Sequence, residues 1–577
     1  MTRQNMVQAL EAKGPALWDI CIIGGGATGL GVAVDAASRG FSTLLLERYD
    51  FAKGTSSRAT KLVHGGVRYL QQGNIKLVTE ALHERGLLRK NAPHLVKNMS
   101  FIVPNYKWWE GPFYGIGLKV YDWMAGSLGL GKSRLLSREE TLELAPTLDG
   151  EGLRGGVLYH DGQFDDARLA IHLAMTAAGQ GAVLLNYCRV DSLVKKEGKV
   201  AGVVATDEIS GKTHTINARV VINATGVFTD SILRMDDAGS EPIIAPSQGV
   251  HIMLDKDFLP GDAAILVPHT DDGRVLFAVP WHDKIIIGTT DTPVDSVDIE
   301  PRALPEEVDF ILKQIGRYLR RVPQPSDIRS VYAGLRPLVK NSSKKTAELA
   351  RDHLILVADS GLITITGGKW TTYRRMAEDT VNTAIEKAGL PKRDCVTADL
   401  PIHGSPEAAV SAAASGDAAA AGSATASGGA AASGGTAASG GATASGGTAA
   451  SGGVVANDAA WNQPLHYYGT DAAAVLALAN AHPLLGEKIH HRLPYLRAEI
   501  VWAAREELAM TVDDALSRRT RSLLLDAQAA IDAAPLVAAL LAEELGRDSA
   551  WQDRQVEEFI GIAKGYLVQT PATVNNG

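Results

Sequence analysis

The chain has 577 residues, of which 45% are apolar and 21% charged, with a net charge of −8. That length predicts several folding units with a substantial core, and the acidic balance excludes the basic surface that nucleic-acid binding requires. Cys21, Cys188 and Cys395 give neither a disulfide framework nor a metal-ligand spacing, and they fit a reducing compartment, with Cys21 expected to pack inside a strand. No charged segment followed by a long apolar run opens the chain, and no apolar stretch is long enough to span a bilayer. The expectation is therefore a cytoplasmic protein, or one peripheral on a membrane.

The first element in chain order is the strongest signal. Asp19 to Ile23 reads as a buried strand, Gly24, Gly26 and Gly29 follow with G-x-G-x-x-G spacing, an alanine-rich helix comes next, and Ser42 to Leu46 is a second strand ending in Glu47. In such a unit the first glycine permits a tight turn, the second admits a pyrophosphate to the backbone, and the third lets helix and sheet approach. The phosphates then sit on the unpaired N–H groups at the positive end of the helix dipole. Glu47 is placed to accept from the adenosine ribose hydroxyls. The chain binds a dinucleotide.

Downstream, Thr55 to Leu70 is dense in hydroxyls, glycines and cations, and residues 106–134 mix Tyr106, Trp108, Trp109, Phe113, Tyr114, Leu118, Tyr121 and Trp123 with Lys107, Lys119, Lys132 and Arg134. Aromatics interleaved with lysines suit a membrane–water interface, although core packing under a loop is the competing reading. Strands are predicted at Val200 to Thr206, Arg219 to Asn223 and Leu354 to Ala358, helices at Val308 to Leu319 and Thr371 to Ala388, and a hairpin at Leu276 to Pro280 with Lys284 to Gly288. Two further glycine turns, at Asn223-Ala224-Thr225-Gly226 and Thr366-Gly367-Gly368-Lys369, close buried strands. A nicotinamide site would leave both without a ligand, whereas FAD needs backbone against its adenosine side and a late helix start against its ribityl chain. FAD is the better match.

Residues 405–453 are almost wholly Ala, Gly, Ser and Thr in Ala-Ser-Gly-Gly units, a composition that cannot offset the entropy of ordering its backbone. They read as a flexible linker. Beyond it, Ala472 to Ala481, Leu496 to Met510, Val512 to Ala534 and Trp551 to Tyr566 carry helical spacing, with Thr511 as an N-cap, so 454–577 is expected to be a helical domain.

The Gly24 turn, Ser56 to Leu70, Ser247 to His251, Ile287 to Asp291, Tyr332 to Leu338, Gly367 to Arg374 and Asp513 to Arg521 together resemble the FAD-dependent, quinone-linked glycerol-3-phosphate dehydrogenases, over nearly everything but the linker. The linker itself and Trp370, where a smaller aliphatic residue is common, depart from the family pattern. The resemblance implies an α/β fold of the two-dinucleotide-binding type, with an antiparallel-sheet substrate domain and a C-terminal all-α domain. Residues 15–400 would form the oxidoreductase unit, with FAD-binding parts near 15–100, 150–235 and 330–400 and a substrate region near 101–149 and 236–329. Thr55, Ser56, Ser57, Gly226, Gly367, Gly368, Lys369 and Thr371 would complete the FAD site begun by Gly24, Gly26, Gly29 and Glu47.

The substrate this implies, glycerol 3-phosphate, carries a phosphate near −2, which a planar guanidinium pairs bidentately. By the resemblance Arg336 and Arg351 hold the phosphate, while Lys369, Arg68, Tyr69 and His251 orient the glycerol. Arg336 and Lys369 stand in apolar stretches where an idle cation would be costly to bury. Oxidation at C2 needs a base for the hydroxyl proton, and an uncharged histidine suits it. His251 and His64 are the two candidates, with preference for His251, so the catalytic set is His251, His64, Arg336 and Lys369. The resemblance further implies a quinone acceptor and peripheral contact with the inner face of the cytoplasmic membrane; a homodimer is compatible with the sequence. Three alternatives stay open: a glycerol-3-phosphate oxidase using oxygen, a flavin-dependent amine or amino-acid oxidase on the same fold, and a non-catalytic FAD-binding interaction protein.

Overall fold

A computed structural model of the protein describes residues 1–14, 16–66, 74–340, 353–406 and 465–568. The expected linker lies outside the described residues except for Ser405 and Pro406, and so do Arg68, Tyr69 and Arg351.

The first of two large sheets grows from the glycine-turn unit. Trp18–Ile23 pairs in parallel with Thr43–Leu46 on one side and Thr213–Asn223 on the other, and Thr213–Asn223 pairs in parallel with Ile363–Gly367. Val183–Leu185 extends one edge in parallel and His353–Val357 the other in antiparallel. A strand covered on both faces reads as a near-continuous apolar run, which is why Ile20-Cys21-Ile22-Ile23 and Leu44-Leu45-Leu46 do not alternate. Helices Ala27–Ser38, Asp166–Gly179 and Tyr373–Ala388 cover one face. Trp18, Cys21, Ile23, Leu44 and Val221 join a second core on the other face. Cys21 is buried and all three cysteines are free.

The second sheet is mainly antiparallel and, among the described residues, has ten strands, in the order Thr292–Pro293, Ile244–Asp255, Lys284–Gly288, Leu276–Trp281, Ala264–Val267, Val96–Asn105, Gly155–Phe164 and Leu62–Val63, with two more paired alongside. The predicted hairpin is its Leu276–Trp281 and Lys284–Gly288 pair. Ser330–Val339 runs antiparallel along the length of Ile244–Asp255, which sets His251 opposite Tyr332 and Ser247 opposite Arg336. The division of segments expected from sequence does not follow the sheets: 96–100, 155–164 and 330–339, placed with the cofactor-binding parts, pair in this second sheet together with 101–105, placed in the substrate region. Each is an apolar strand whose sheet is decided by a partner far along the chain, such as Val96 with Phe164, and not by its own pattern.

The tail packs on this sheet. Met253, Trp281, Ile286 and Tyr332 share one core with Leu516, Leu523, Leu524 and the helix Ala527–Leu545. Thr511 caps as expected, its hydroxyl accepting the Asp514 amide at 3.1 Å. The single helix expected over 512–534 is instead a π-helical turn at Asp514–Arg519, a short helix at Ser522–Leu525 and a long one from Ala527. The extended Thr520 and Asp526 break it, and the turn carries Arg518 and Arg519 inward to buried carboxylates. Among the described residues no helix is long and apolar enough to cross a membrane.

Candidate active site

The glycine turn is shaped as its spacing requires. Gly24 has φ +109°, and a Cβ there would stand 2.7 Å from the Ala224 carbonyl oxygen. A Cβ on Gly29 would meet the Gly24 carbonyl oxygen at 1.9 Å, so only glycine lets helix and turn close. Gly26 differs: its nearest neighbour is the Ser56 hydroxyl at 3.1 Å, and it borders a cavity of about 410 Å³. Ser56 Oγ accepts the Ala27 amide at 2.9 Å at the start of the Ala27–Ser38 helix. Glu47 accepts from the Gly25 amide at 2.6 Å and the Tyr49 amide at 2.7 Å. Desolvation of its enclosed carboxylate raises its pKa against the pull of those two amides.

The same cavity is lined by Thr55, Gly226, Gly367, Gly368 and Lys369. Gly226, Gly367 and Gly368 all have positive φ, so the two later turns bring bare backbone to the cavity wall. The arrangement fits an extended dinucleotide: a helix N-terminus, an acid at the end of the neighbouring strand, and two glycine turns that bring bare backbone to the wall. Ser57 is placed otherwise. It is buried behind the cavity wall, and its carbonyl accepts from Lys61 and Arg521.

A second cavity of about 200 Å³ shares Thr55, Pro337, Gly367, Gly368, Lys369 and Trp370 with the first, and adds Arg58, Thr60, His64, His251, Arg336 and Thr371. It brings together His251, His64, Arg336 and Lys369. His251 is 3% exposed, stacks on the Tyr332 ring at 4.8 Å, and its Nε2 lies 2.8 Å from the Thr60 hydroxyl. Burial, with the charges of Arg336 and Lys61, holds its pKa well below the usual histidine value, so the ring is neutral near pH 7. His64 donates its backbone N–H to the Thr371 hydroxyl at 3.3 Å.

Arg336 is built in. It donates to the Gln248 and Thr290 carbonyls and the Thr289 hydroxyl, and pairs with Asp291 at 3.1 Å. Asp291 also holds Arg274 at 2.6 Å and accepts from the Ser247 hydroxyl, which makes it the link between two arginines. Both arginines border a third cavity of about 180 Å³ that shares Thr60, Leu62, His64 and Arg336 with the second and ends against the rings of Phe101, Tyr114, Tyr159 and Phe277. Arg274 carries no motif in the sequence. The Lys61–Asp166 pair, fully buried at 2.7 Å, was also missed; desolvation brings the Lys61 pKa down to about 8.

The aromatic stretch divides. In the helix Glu110–Ala125, Tyr114, Leu118 and Tyr121 are buried, while Phe113, Ile116, Val120 and Trp123 form an exposed apolar stripe beside Trp108, 77% exposed. Core packing therefore describes one face of the helix, and the other face is exposed.

A family model for FAD dependent oxidoreductases matches residues 19–374, more than half of the chain, and the chain belongs to that family. A model for the C-terminal domain of alpha-glycerophosphate oxidase matches residues 395–552. The mitochondrial glycerol-3-phosphate dehydrogenase of Homo sapiens is 39% identical, over 97% of this chain and 74% of the relative. That of Schizosaccharomyces pombe is 38% identical, over 94% and 86%. The solved glycerol-3-phosphate dehydrogenase of Bacillus halodurans, a complex with FAD, superposes with a TM-score of 0.73 at 29% identity, covering 99% of this chain and all of its own. Within the FAD-dependent oxidoreductases, then, this chain is a member of the glycerol-3-phosphate dehydrogenase family, and the glycine turns, the open Gly26 and the joined cavities fit FAD.

Proposed function

We propose that this enzyme oxidises sn-glycerol 3-phosphate at C2 to dihydroxyacetone phosphate and passes the two electrons to a membrane quinone, from a position on the cytoplasmic face of the membrane. The observation that carries this reading is the cavity where Arg336, Lys369 and His251 meet next to the dinucleotide cradle. Bound FAD supplies the acceptor for the hydride that leaves C2. Arg336 and Arg351 hold the substrate phosphate, and Lys369, Arg68 and Tyr69 orient the glycerol portion with His251. His251, kept neutral by burial, takes the C2 hydroxyl proton, with the Thr60 hydroxyl on Nε2 setting the ring's orientation. Hydride and proton together account for the two electrons and two protons lost by the alcohol, and a quinone reduced to the quinol takes up the same number.

The exposed stripe of the Glu110–Ala125 helix supports the membrane part. Single exposed apolar residues are ordinary, but a contiguous stripe bordered by the exposed Lys107, Lys119 and Lys132 suits a lipid surface. The test is an anaerobic spectrum. Glycerol 3-phosphate should bleach the flavin and plain glycerol should not, and equal bleaching by both would overturn the substrate. Reoxidation by a short-chain quinone should outrun reoxidation by oxygen; stoichiometric hydrogen peroxide in its place would make the enzyme an oxidase. Arg336→Ala and Lys369→Ala should each cost at least about tenfold in kcat/KM, since a charge-assisted bond to the substrate is worth roughly 1.5–3 kcal/mol.

A further inference from the structure

The segment Thr55 to Thr60 forms the wall between the cradle and the substrate cavity, and it has almost no regular structure beyond one 3-10 turn at Thr55–Ser57. Buried carbonyls outside helices and sheets need other donors, and side chains are one source of them. Here the donors come from separate parts of the chain. Trp370 Nε1 donates to the Ser56 carbonyl at 2.9 Å, and the Tyr332 hydroxyl to the Ala59 carbonyl at 3.1 Å. The Ser57 carbonyl receives two cations, Lys61 at 2.9 Å and Arg521 at 2.7 Å.

Among the described residues, Arg521 is the one donor to these carbonyls that reaches in from the helical domain. It is 1% exposed, its Nη2 also binds Asp166 at 3.0 Å, and its Nη1 binds the Ser517 carbonyl at 2.6 Å. Asp166 in turn accepts the Ala59 amide at 2.9 Å and the Lys61 ammonium at 2.7 Å. One planar guanidinium therefore fixes both the carbonyl of Ser57 and the carboxylate that holds the next turn of the same segment. Both bonds come from Nη2, while Nη1 anchors the group on the Ser517 carbonyl, and a lysine has no second nitrogen to keep that anchor.

Two active-site contacts hang from this segment. Ser56 Oγ accepts the Ala27 amide at the phosphate end of the cradle, and the Thr60 hydroxyl meets His251 Nε2. We propose that Arg521 is a positioning residue for the active site: through the Ser57 carbonyl and Asp166 it sets the Thr55–Thr60 wall, and so places Ser56 against the cofactor cradle and Thr60 against His251. The helical domain is on this account part of the catalytic machinery's support. A shift of about 1 Å at a reacting group can cost on the order of a hundredfold in rate, so the effect need not disturb the fold to be large. The proposal rests on the reading of His251 as base, and its cofactor arm is independent of that reading.

The experiment compares wild type, Arg521→Lys and Thr60→Val as full-length protein. Arg521→Lys keeps the charge facing Asp166. It should weaken FAD binding by about tenfold in apoprotein titration, and slow single-turnover flavin reduction by glycerol 3-phosphate by at least about tenfold at saturating FAD. KM for glycerol 3-phosphate should stay within about twofold, because the phosphate cations are untouched. FAD affinity and reduction rate both within twofold of wild type, in folded protein, would overturn the proposal. Thr60→Val removes no charge and is the variant to rely on if Arg521→Lys does not fold. It should slow reduction and leave FAD affinity unchanged, and an unchanged rate would overturn the route to His251. If wild-type flavin is not reduced by glycerol 3-phosphate at all, the functional reading fails, while the FAD titration of Arg521→Lys still decides the positioning of the cradle.

Discussion

The Glu47 carboxylate accepts the Gly25 amide proton at 2.6 Å, so the acid at the end of the second strand is tied directly to the glycine turn at the end of the first. The acid and the glycine turn, the expected ribose and pyrophosphate contacts, are thereby held together on one side of the cavity. Within that turn the three glycines are not equivalent. A side chain on Gly26 enters the cavity, whereas one on Gly29 would collide with the Gly24 carbonyl oxygen. Gly26→Val should therefore fold with a thermal midpoint close to that of wild-type apoprotein and fail to load FAD, as read from the ratio of flavin to protein absorbance. Gly29→Ala should lower the midpoint itself. Normal FAD content in Gly26→Val would show that the phosphates take another path.

Acid should destabilise the protein before its carboxylates titrate. His94 and His282 have pKa values brought down by burial to about 3 and about 4, and burial puts His172 and His251 well below the ordinary value of 6.5. A histidine depressed in the folded state contributes stability that is whole above pH 6.5 and is lost as pH falls, because the unfolded chain takes up the proton first. Each such group loses roughly 1 kcal/mol between pH 6.5 and 5.5. Glu499, raised by burial from 4.5 to about 7, acts in the opposite direction over the same range and offsets about one of the four. Unfolding free energy measured by denaturant should fall by roughly 3 kcal/mol over that unit. A flat profile would mean that these rings are not neutral in the folded protein.

Much of the cofactor site could be read from sequence because it is local. Strand, turn, helix and acid lie within thirty residues, and their spacing alone fixes which backbone groups border the cavity. The hairpin and the Thr511 cap were legible for the same reason. What escaped depends on partners far apart: Asp50 with Arg518 and Arg519, and Lys61 with Asp166. A signal for the first existed. Asp513, Asp514, Arg518, Arg519 and Arg521 crowd a stretch that is otherwise apolar, and charges buried there must find partners somewhere. Sequence could announce that need but not name Asp50 as the answer.

The alanine–glycine–serine stretch should be dispensable. The Thr470 amide donates to the Gly404 carbonyl at 2.9 Å, so the described chain on either side is already joined directly. His403 adds a pair with Asp471 at 2.7 Å across the same junction. Deleting residues 410–450 should leave FAD content and specific activity within about twofold, because the remaining residues need only bridge two points in contact. A collapse in either would show that the stretch seats the helical domain.

Membrane attachment should depend on two particular tryptophans. Trp108 and Trp123 are 77% and 82% exposed, whereas Trp109 is 36% exposed and meets the His269 and Phe113 rings. Trp123 stands ten residues after Phe113 on one face of the helix, in line with Ile116 and Val120, and the opposite face is sealed by Tyr114 and Tyr121. Replacing the exposed pair should therefore leave the core intact. At roughly 25 cal/mol per Å², two indoles inserted at the headgroup level are worth several kcal/mol, more than enough to decide partitioning. Trp108→Glu with Trp123→Glu should cut co-sedimentation with anionic liposomes by at least about tenfold and slow reduction of a long-chain quinone in those liposomes. Reduction of a soluble dye by glycerol 3-phosphate should be unchanged, because neither side chain lines the three cavities. Wild-type attachment should also loosen as salt rises, through screening of Lys107, Lys119 and Lys132. If the double variant sediments like wild type, this stripe is not the lipid contact.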